Sequence, residues 1–357
     1  METDVLVIGG GPAGLHAAGV SASYGLDVTL VEQSFSLGGQ LRQQTQQLRN
    51  PHQKLSSQTG TGLADQLIEK LHRHDVITLL NHTVIGTYND GRIGVANEQT
   101  TIPITSKKII VTTGAAEEAF AFPGWTLPGV MTIGAAQILL NRERVLPGKN
   151  ALVVGINNFT LEVVKQLQES GVHIKGIIEE ESLLLANDPA TLNLLKDINT
   201  PIFVNGFIER AFGSGEVEKV MVRHENQMKE LSVDLVCIGK GLSPIIEPFE
   251  ILDCDFTYES RLGGWLPKYT LSMETSCPSI YVAGNAAGTT DIGSILLTAE
   301  IAGLSVAASL NKLDEKEVEQ QRRTLWKAIR SIEKPEVFQA RAQMIKMFQG
   351  DTLTQLL

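Results

Sequence analysis

One stretch limits this chain more than any other. The run Thr3-Asp4-Val5-Leu6-Val7-Ile8 drops directly into Gly9-Gly10-Gly11-Pro12-Ala13-Gly14. A short β-branched run predicts a buried strand, and Leu15, Ala17, Ala18 and Val20 carry a helical pattern after the glycines. Gly9, Gly11 and Gly14 fit the spacing G-x-G-x-x-G of a dinucleotide-binding turn. In such a turn the first glycine permits the sharp bend, the second lets a pyrophosphate approach the backbone, and the third packs helix on strand. The helix N-terminus then presents N–H groups to the phosphates. A second apolar run, Val28-Thr29-Leu30-Val31, ends in Glu32, a carboxylate placed to hold a ribose hydroxyl.

With 357 residues, 43% hydrophobic and 20% charged, the chain has room for two or three domains and a large core. Its net charge of −10 argues against a nucleic-acid or anionic-membrane partner. No apolar run is expected to span a bilayer, and no basic region precedes the first strand as in a signal peptide. A cytoplasmic location is therefore expected. The cysteines are Cys237, Cys254 and Cys277, none in a C-x-x-C pair. That excludes from the expectation a redox disulfide, an iron–sulfur cluster or any other metal within this chain. Cys237, inside an apolar run, reads as an inert buried thiol.

Beyond Glu32, Gly38-Gly39-Gln40 starts a glutamine-rich stretch to Thr61. It is either a solvated loop or, through its paired glycines, a close approach to a flat ligand. Leu63 to His72 predicts an amphipathic helix, followed by strands around 77–80, 83–88 and 92–96 with a hairpin turn at Asn89-Asp90-Gly91. Lys108 to Val111 is another buried strand, ending at Thr112-Thr113-Gly114-Ala115. The Pro/Gly-rich segment 122–130 is the natural domain linker, with a helix from Gly134 to Leu140 after it.

Ala151-Leu152-Val153-Val154-Gly155 begins a second dinucleotide-type unit, but Asn157 and Thr160 stand where its second and third glycines belong. Side chains there are expected to crowd a pyrophosphate. The next strand, Ile174–Ile178, ends in Glu179 and Glu180, which suit a ribose hydroxyl and repel a 2′-phosphate. Strands are predicted over 201–212, 217–223 and 231–237, then Ser279 to Ala283 leads into Gly284-Asn285. A long helix follows from Ala286 to Leu310, and 311–357 reads as one or two surface helices. The histidines are scattered. His16 is expected to pack, and His52 lies in the polar loop. Trp125 is either a cap for a flavin or adenine ring or a packing anchor.

This order of motifs resembles the two-dinucleotide-domain flavoprotein reductases, the thioredoxin-reductase and glutathione-reductase superfamily, over almost the whole chain. The resemblance implies an α/β fold of two Rossmann-like (ββα) domains, the second inserted into the first, with a short helical C-terminal tail. The implied bounds are 1–120 and 246–310 for the FAD-binding domain, 121–245 for the NAD(P)-binding-like insert and 311–357 for the tail. The implied FAD contacts are Gly9, Gly11, Pro12, Ala13 and Gly14, then Glu32 and Gln33, then Gly39 and Gln40. Thr113, Gly114, Gly284 and Asn285 complete them, Asn285 standing where the superfamily has an aspartate on the flavin ribitol. Gly155, Asn157, Asn158 and Glu179 mark the second site, where an adenine nucleotide could serve as a structural ligand.

The segment Gly114-Ala115 to Gln137 is similar to the FAD-binding (alpha-type) subunits of hydrogen cyanide synthase, opine oxidase and heteromeric proline or D-hydroxyproline dehydrogenases. Thioredoxin reductases carry a cysteine pair after the crossover, whereas Met131 to Gln137 contain none, so disulfide reduction is not expected. The implied function is an FAD-binding subunit of an amino- or imino-acid dehydrogenase, with a second FAD-containing subunit for its partner. Many relatives continue into a [2Fe-2S] extension where this chain ends, so that cluster would sit on a small separate subunit. The alternatives are a free-standing NADH-dependent reductase and a non-catalytic FAD-binding assembly subunit. No acid/base pair for substrate oxidation stands out.

Overall fold

The structure is a computed structural model that describes residues 1–48, 59–180 and 189–350. The chain divides into two compact units, residues 1–116 with 243–357, and residues 117–242.

The first unit is built on a parallel sheet. The strand Glu2–Ile8 pairs with Val28–Glu32 on one side and with the far half of Thr101–Val111 on the other. Ile77–Leu80 extends one edge, and Ile280–Val282 pairs in parallel with Ile109–Val111. The near half of Thr101–Val111 turns instead into an antiparallel meander with Ile93–Ala96 and Thr83–Thr87. Val5, Leu6, Val7 and Leu30 are fully or almost fully buried, as strands covered on both faces require. The helices Pro12–Ser23 and Ile292–Ser309 pack together so closely that a Cβ on Gly303 would meet Val20 at 2.8 Å.

Ile292–Ser309 is long and apolar enough to cross a membrane, which amends the expectation that no segment is. Most of its residues are buried within the unit, so the same apolar character is used up in core packing. The predicted helix 286–310 is divided: Gly284–Ala287 forms one 3-10 turn and Gly288 (φ +109°) separates it from the long helix. The tail consists of two helices, Glu315–Ile332 and Pro335–Gln349. It is not merely a surface appendage, because Ile329, Ala340, Arg341 and Ile345 are buried in it.

The second unit repeats the theme. A parallel sheet runs Ile202–Val204, His173–Glu179, Asn150–Val154, Leu235–Ile238, Val130–Thr132, with a separate three-stranded antiparallel sheet over 207–232. The run 201–212, expected as one strand, breaks at Asn205 (φ +54°), and 231–237 breaks likewise between Ser232 and Leu235. The segment 122–130 is a wall of this unit rather than a linker. Phe122 is buried, and the Ala211 N–H donates to the Pro123 carbonyl at 2.8 Å.

Candidate functional site

The first βα turn is held from three sides. Gly9 has φ +107°, and a Cβ there would lie 2.6 Å from the Thr112 carbonyl oxygen. Gly14 is more restricted still: its Cβ would sit 1.8 Å from the Gly9 oxygen and 2.7 Å from Thr112 Oγ1. The Thr112 hydroxyl lies 2.9 Å from both the Ile8 and the Gly9 carbonyl oxygens, tying the neighbouring strand end to the turn. Gly9 and Gly14 are thus demanded by the protein's own packing.

Gly11 is different. A Cβ there would meet nothing nearer than the Gly39 Cα at 3.9 Å, and its backbone (φ −75°, ψ −174°) suits any residue. No side chain caps the helix it opens, and no acidic residue lies in the first turn. An uncapped helix N-terminus beside open space fits an anionic pyrophosphate. Gly39 (φ +53°) closes over it, with room for a Cβ barred by the Gly11 Cα at 2.8 Å.

Glu32 is 8% exposed, and each of its oxygens accepts one backbone N–H: Oε2 from Gly10 and Oε1 from Ser34, both at 2.7 Å. A carboxylate has about four acceptor positions, so capacity remains for a donor such as a ribose hydroxyl. Pro12 is half-buried and Ala13 buried, while Gln33 and Gln40 are exposed. Gln43 donates to Gln40 Oε1. Thr113 Oγ1 donates to the Ile245 carbonyl at 3.1 Å, and Gly114 (φ +79°) accepts from the Ile245 N–H.

Gly284 (φ +70°) brings the late strand end to the same place, since its Cβ would meet the Ala13 Cβ at 2.7 Å. Asn285 Oδ1 accepts from the Thr290 N–H at 3.0 Å, folding the 285–290 loop back on itself. Sequence reasoning missed what braces this loop. Arg341, fully buried on the last helix, donates to the Ala287 carbonyl and the Tyr269 hydroxyl at 2.6 Å each and forms a two-pronged pair with Glu333 at 2.9 and 3.2 Å. Thr290 Oγ1 donates to Glu333 at 2.7 Å. Burial opposes the Arg341 charge, but Tyr269 and Glu333 outweigh it and hold the guanidinium pKa above its ordinary value. A polar residue in an otherwise helical apolar pattern, Arg341 among Ala340, Ala342 and Met344, was the available signal.

The second unit copies part of this arrangement. Gly155 (φ +94°) would place a Cβ 2.3 Å from the Gly239 oxygen, and Glu179 Oε2 accepts from the Ile156 N–H at 2.8 Å, as Glu32 does from Gly10. Asn157 caps the helix Asn158–Glu169: its Oδ1 accepts from the Thr160 N–H at 2.9 Å and its Nδ2 donates to the Gly239 carbonyl at 2.8 Å. Asn158 Oδ1 accepts from the Thr191 hydroxyl. Thr160, expected to crowd a pyrophosphate, is turned into the protein instead. Its buried side chain points at Gly239, whose Cβ would lie 2.2 Å from Thr160 Oγ1.

Of the remaining candidates, His16 lies 3.5 Å from Glu300, a partly exposed polar contact between two helices. Trp125 is 44% exposed and anchors no core. Lys240 pairs with Glu180 at 2.7 Å. His52 lies outside the described residues. Among the described residues no three His, Cys, Asp or Glu side chains gather as a metal site.

The model of the family described as pyridine nucleotide-disulphide oxidoreductase matches residues 3–316. The chain belongs to this family and is an FAD-dependent oxidoreductase. It is 23% identical over 333 residues to the A subunit of opine oxidase from Rhizobium meliloti, covering 87% of this chain and 72% of that protein. It is 25% identical to the HcnB subunit of hydrogen cyanide synthase from Pseudomonas aeruginosa, covering 98% and 78%. Among solved structures, L-proline dehydrogenase from P. horikoshii has a TM-score of 0.72 at 22% identity, covering 91% of this chain and 59% of that one. The chain thus spans about three-fifths of that dehydrogenase chain, and at this identity the likeness is one of fold.

Proposed function

We propose that this chain is the FAD-binding subunit of a heteromeric amino- or imino-acid dehydrogenase, of the proline, hydroxyproline or opine type, passing electrons between flavin centres and an acceptor. The carrying observation is the contrast between the two turns. Gly11 stands before an uncapped helix N-terminus, whereas at the equivalent place Asn157 has already taken a helix N–H for itself. A reductase fed by NAD(P)H needs the second turn open to a pyrophosphate; an electron-transfer subunit does not. Relatives named as subunits of opine oxidase and hydrogen cyanide synthase support the same reading.

In this reading residues 1–116 with 243–357 hold the FAD, so the functional domains divide a few residues before the expected 120 and 245. The helix N-terminus at Gly11, Pro12, Ala13 and Gly14 faces the pyrophosphate, with Gly39 closing over it. Glu32 takes a ribose hydroxyl, beside Gln33. Gln40, Thr113, Gly114, Gly284 and the amide of Asn285 line the flavin end. A bound flavin supplies two-electron chemistry, and the protein orients it and sets its surroundings. In the second unit Glu179, beside Asn157, Asn158 and Gly155, supports an adenine nucleotide held as a structural ligand rather than as a reductant. The partners are a second FAD-containing subunit, which oxidises the substrate, and a small [2Fe-2S] subunit. The packing of the long apolar helix Ile292–Ser309 into the core supports a cytoplasmic assembly.

The test is anaerobic mixing with NADH while following flavin absorbance. Bleaching should be absent for the chain alone and should occur with a co-purified partner and an imino acid such as proline. Rapid bleaching of the isolated chain by micromolar NADH makes it a free-standing reductase. Flavin that never changes redox state in the assembled complex makes it a scaffold.

A further inference from the structure

The fold brings together two thiols that lie far apart in the sequence. Cys254 precedes the strand Phe256–Glu259, and Cys277 lies in the turn before Ile280–Val282. Both sulfurs converge on one carbonyl, that of Leu252, at 4.0 Å from Cys254 and 3.3 Å from Cys277. They also share Thr275, whose Oγ1 is 3.5 Å from the Cys254 sulfur and accepts the Cys277 N–H at 3.2 Å. Cys277 lies close enough to contribute to the raised pKa of Cys254. The pair is asymmetric: Cys254 is 6% exposed, whereas Cys277 is half-buried and its Sγ reaches the Asp253 carbonyl at 3.2 Å in an exposed position.

We propose that Cys254 and Cys277 form a peroxide-sensitive dithiol, a modification site that closes to an intramolecular disulfide and is reopened by a dithiol reductant. Cys277, which solvent can reach, attacks hydrogen peroxide; the O–O bond breaks, a sulfenic acid forms and one water leaves. The Cys254 sulfur then attacks the Cys277 sulfur, forming the S–S bond and releasing a second water. Two thiols lose two protons and two electrons, and one peroxide becomes two waters. Burial pushes the Cys254 thiol up to about 11, so Cys254 is not the thiol that meets peroxide first. Closure ties off the hairpin of Phe256–Glu259 and Gly264–Pro267, which carries the exposed, edge-packed pair Tyr258 and Trp265. Cys237, buried and pushed up to about 12 chiefly by that burial, is the internal control. The proposal is independent of the flavin assignment.

Full-length protein is treated with hydrogen peroxide, its thiols are counted after denaturation, and unreduced tryptic peptides are weighed. The free thiols should fall from three to one, with a Cys254–Cys277 linked peptide pair that dithiothreitol dissolves. In Cys254→Ser, Cys277 should instead gain oxygen without forming that link. Cys277→Ser, at the half-buried position, should keep both remaining thiols. Three surviving thiols in the treated wild type, links only between chains, or oxygen gain at Cys277 equal in wild type and Cys254→Ser overturns the proposal.

Discussion

The two βα turns of this chain solve one packing problem with opposite residues. In the first, the helix contributes the small partner, Gly14, and the neighbouring strand end the large one, Thr112. In the second, the helix contributes Thr160 and the strand end Gly239. Either way one Cβ is removed where helix and strand ends meet, and either way a threonine hydroxyl bonds a carbonyl of the facing segment: Thr112 to Gly9 in the turn, Thr160 to Gly239 at the strand end. The acid after the second strand also performs the same task, Glu32 on Gly10 and Glu179 on Ile156. What separates the turns is one position. Gly11 leaves the helix N-terminus open, and Asn157 closes it with its own side chain. Loss of a fingerprint glycine therefore takes two forms here, an exchange of packing partners at the third position and a side-chain cap on the helix at the second.

The largest expected effect comes from violating the exchange. Gly14→Thr alone sets a Cβ 1.8 Å from the Gly9 oxygen, and we expect a loss beyond the roughly 4–5 kcal/mol that marks exceptional substitutions. Adding Thr112→Gly, which removes the 2.7 Å contact but not the clash with the Gly9 oxygen, should restore a minor part of that loss in denaturant midpoints. No coupling between the two substitutions would break the comparison. Next, Arg341→Met leaves Glu333 buried without its cation. A cost of about 3–5 kcal/mol is expected, read by urea unfolding, together with weaker flavin retention as the 285–290 loop loses its brace.

Gly11→Asn sharpens the contrast most directly. It should drop flavin content, read as the ratio of visible to ultraviolet absorbance, at least ~10-fold, or ~1.4 kcal/mol, while leaving the melting temperature of the apoprotein nearly unchanged. Full flavin content in that variant would remove Gly11 from the cofactor site. The smallest effects belong to the second unit. Asn157→Ala should cost about 1 kcal/mol as a lost N-cap, and Asn157→Gly only a few tenths. Equal losses for the two would mean that Asn157 acts through something other than capping.

Much of the architecture was legible in the chain. Continuous apolar, β-branched runs marked Val5–Ile8, Val28–Val31 and Ile109–Val111 as buried strands, because residues covered on both faces must be largely apolar. The turn glycines and Glu32 could be read because their spacing answers to local backbone geometry. Thr112 was legible as part of a strand end but its tie to the turn was not, since that depends on a carbonyl more than a hundred positions away. The break at Asn205 escaped as well, its left-handed backbone being set by the turn between two sheets.

By itself, then, the sequence determined two dinucleotide-type units, the first intact in its glycines and the second altered, and the family that such an order of motifs belongs to. Local spacing and periodicity carry that information. Tertiary structure alone decided which alterations matter. Thr160 is harmless because Gly239 faces it, Arg341 is a core residue because Glu333 and Tyr269 wait for it, and Cys254 meets Cys277 across a hairpin. Each of these depends on a partner remote in the chain, and a Cβ, a charge or a thiol acquires its meaning from the atom it touches.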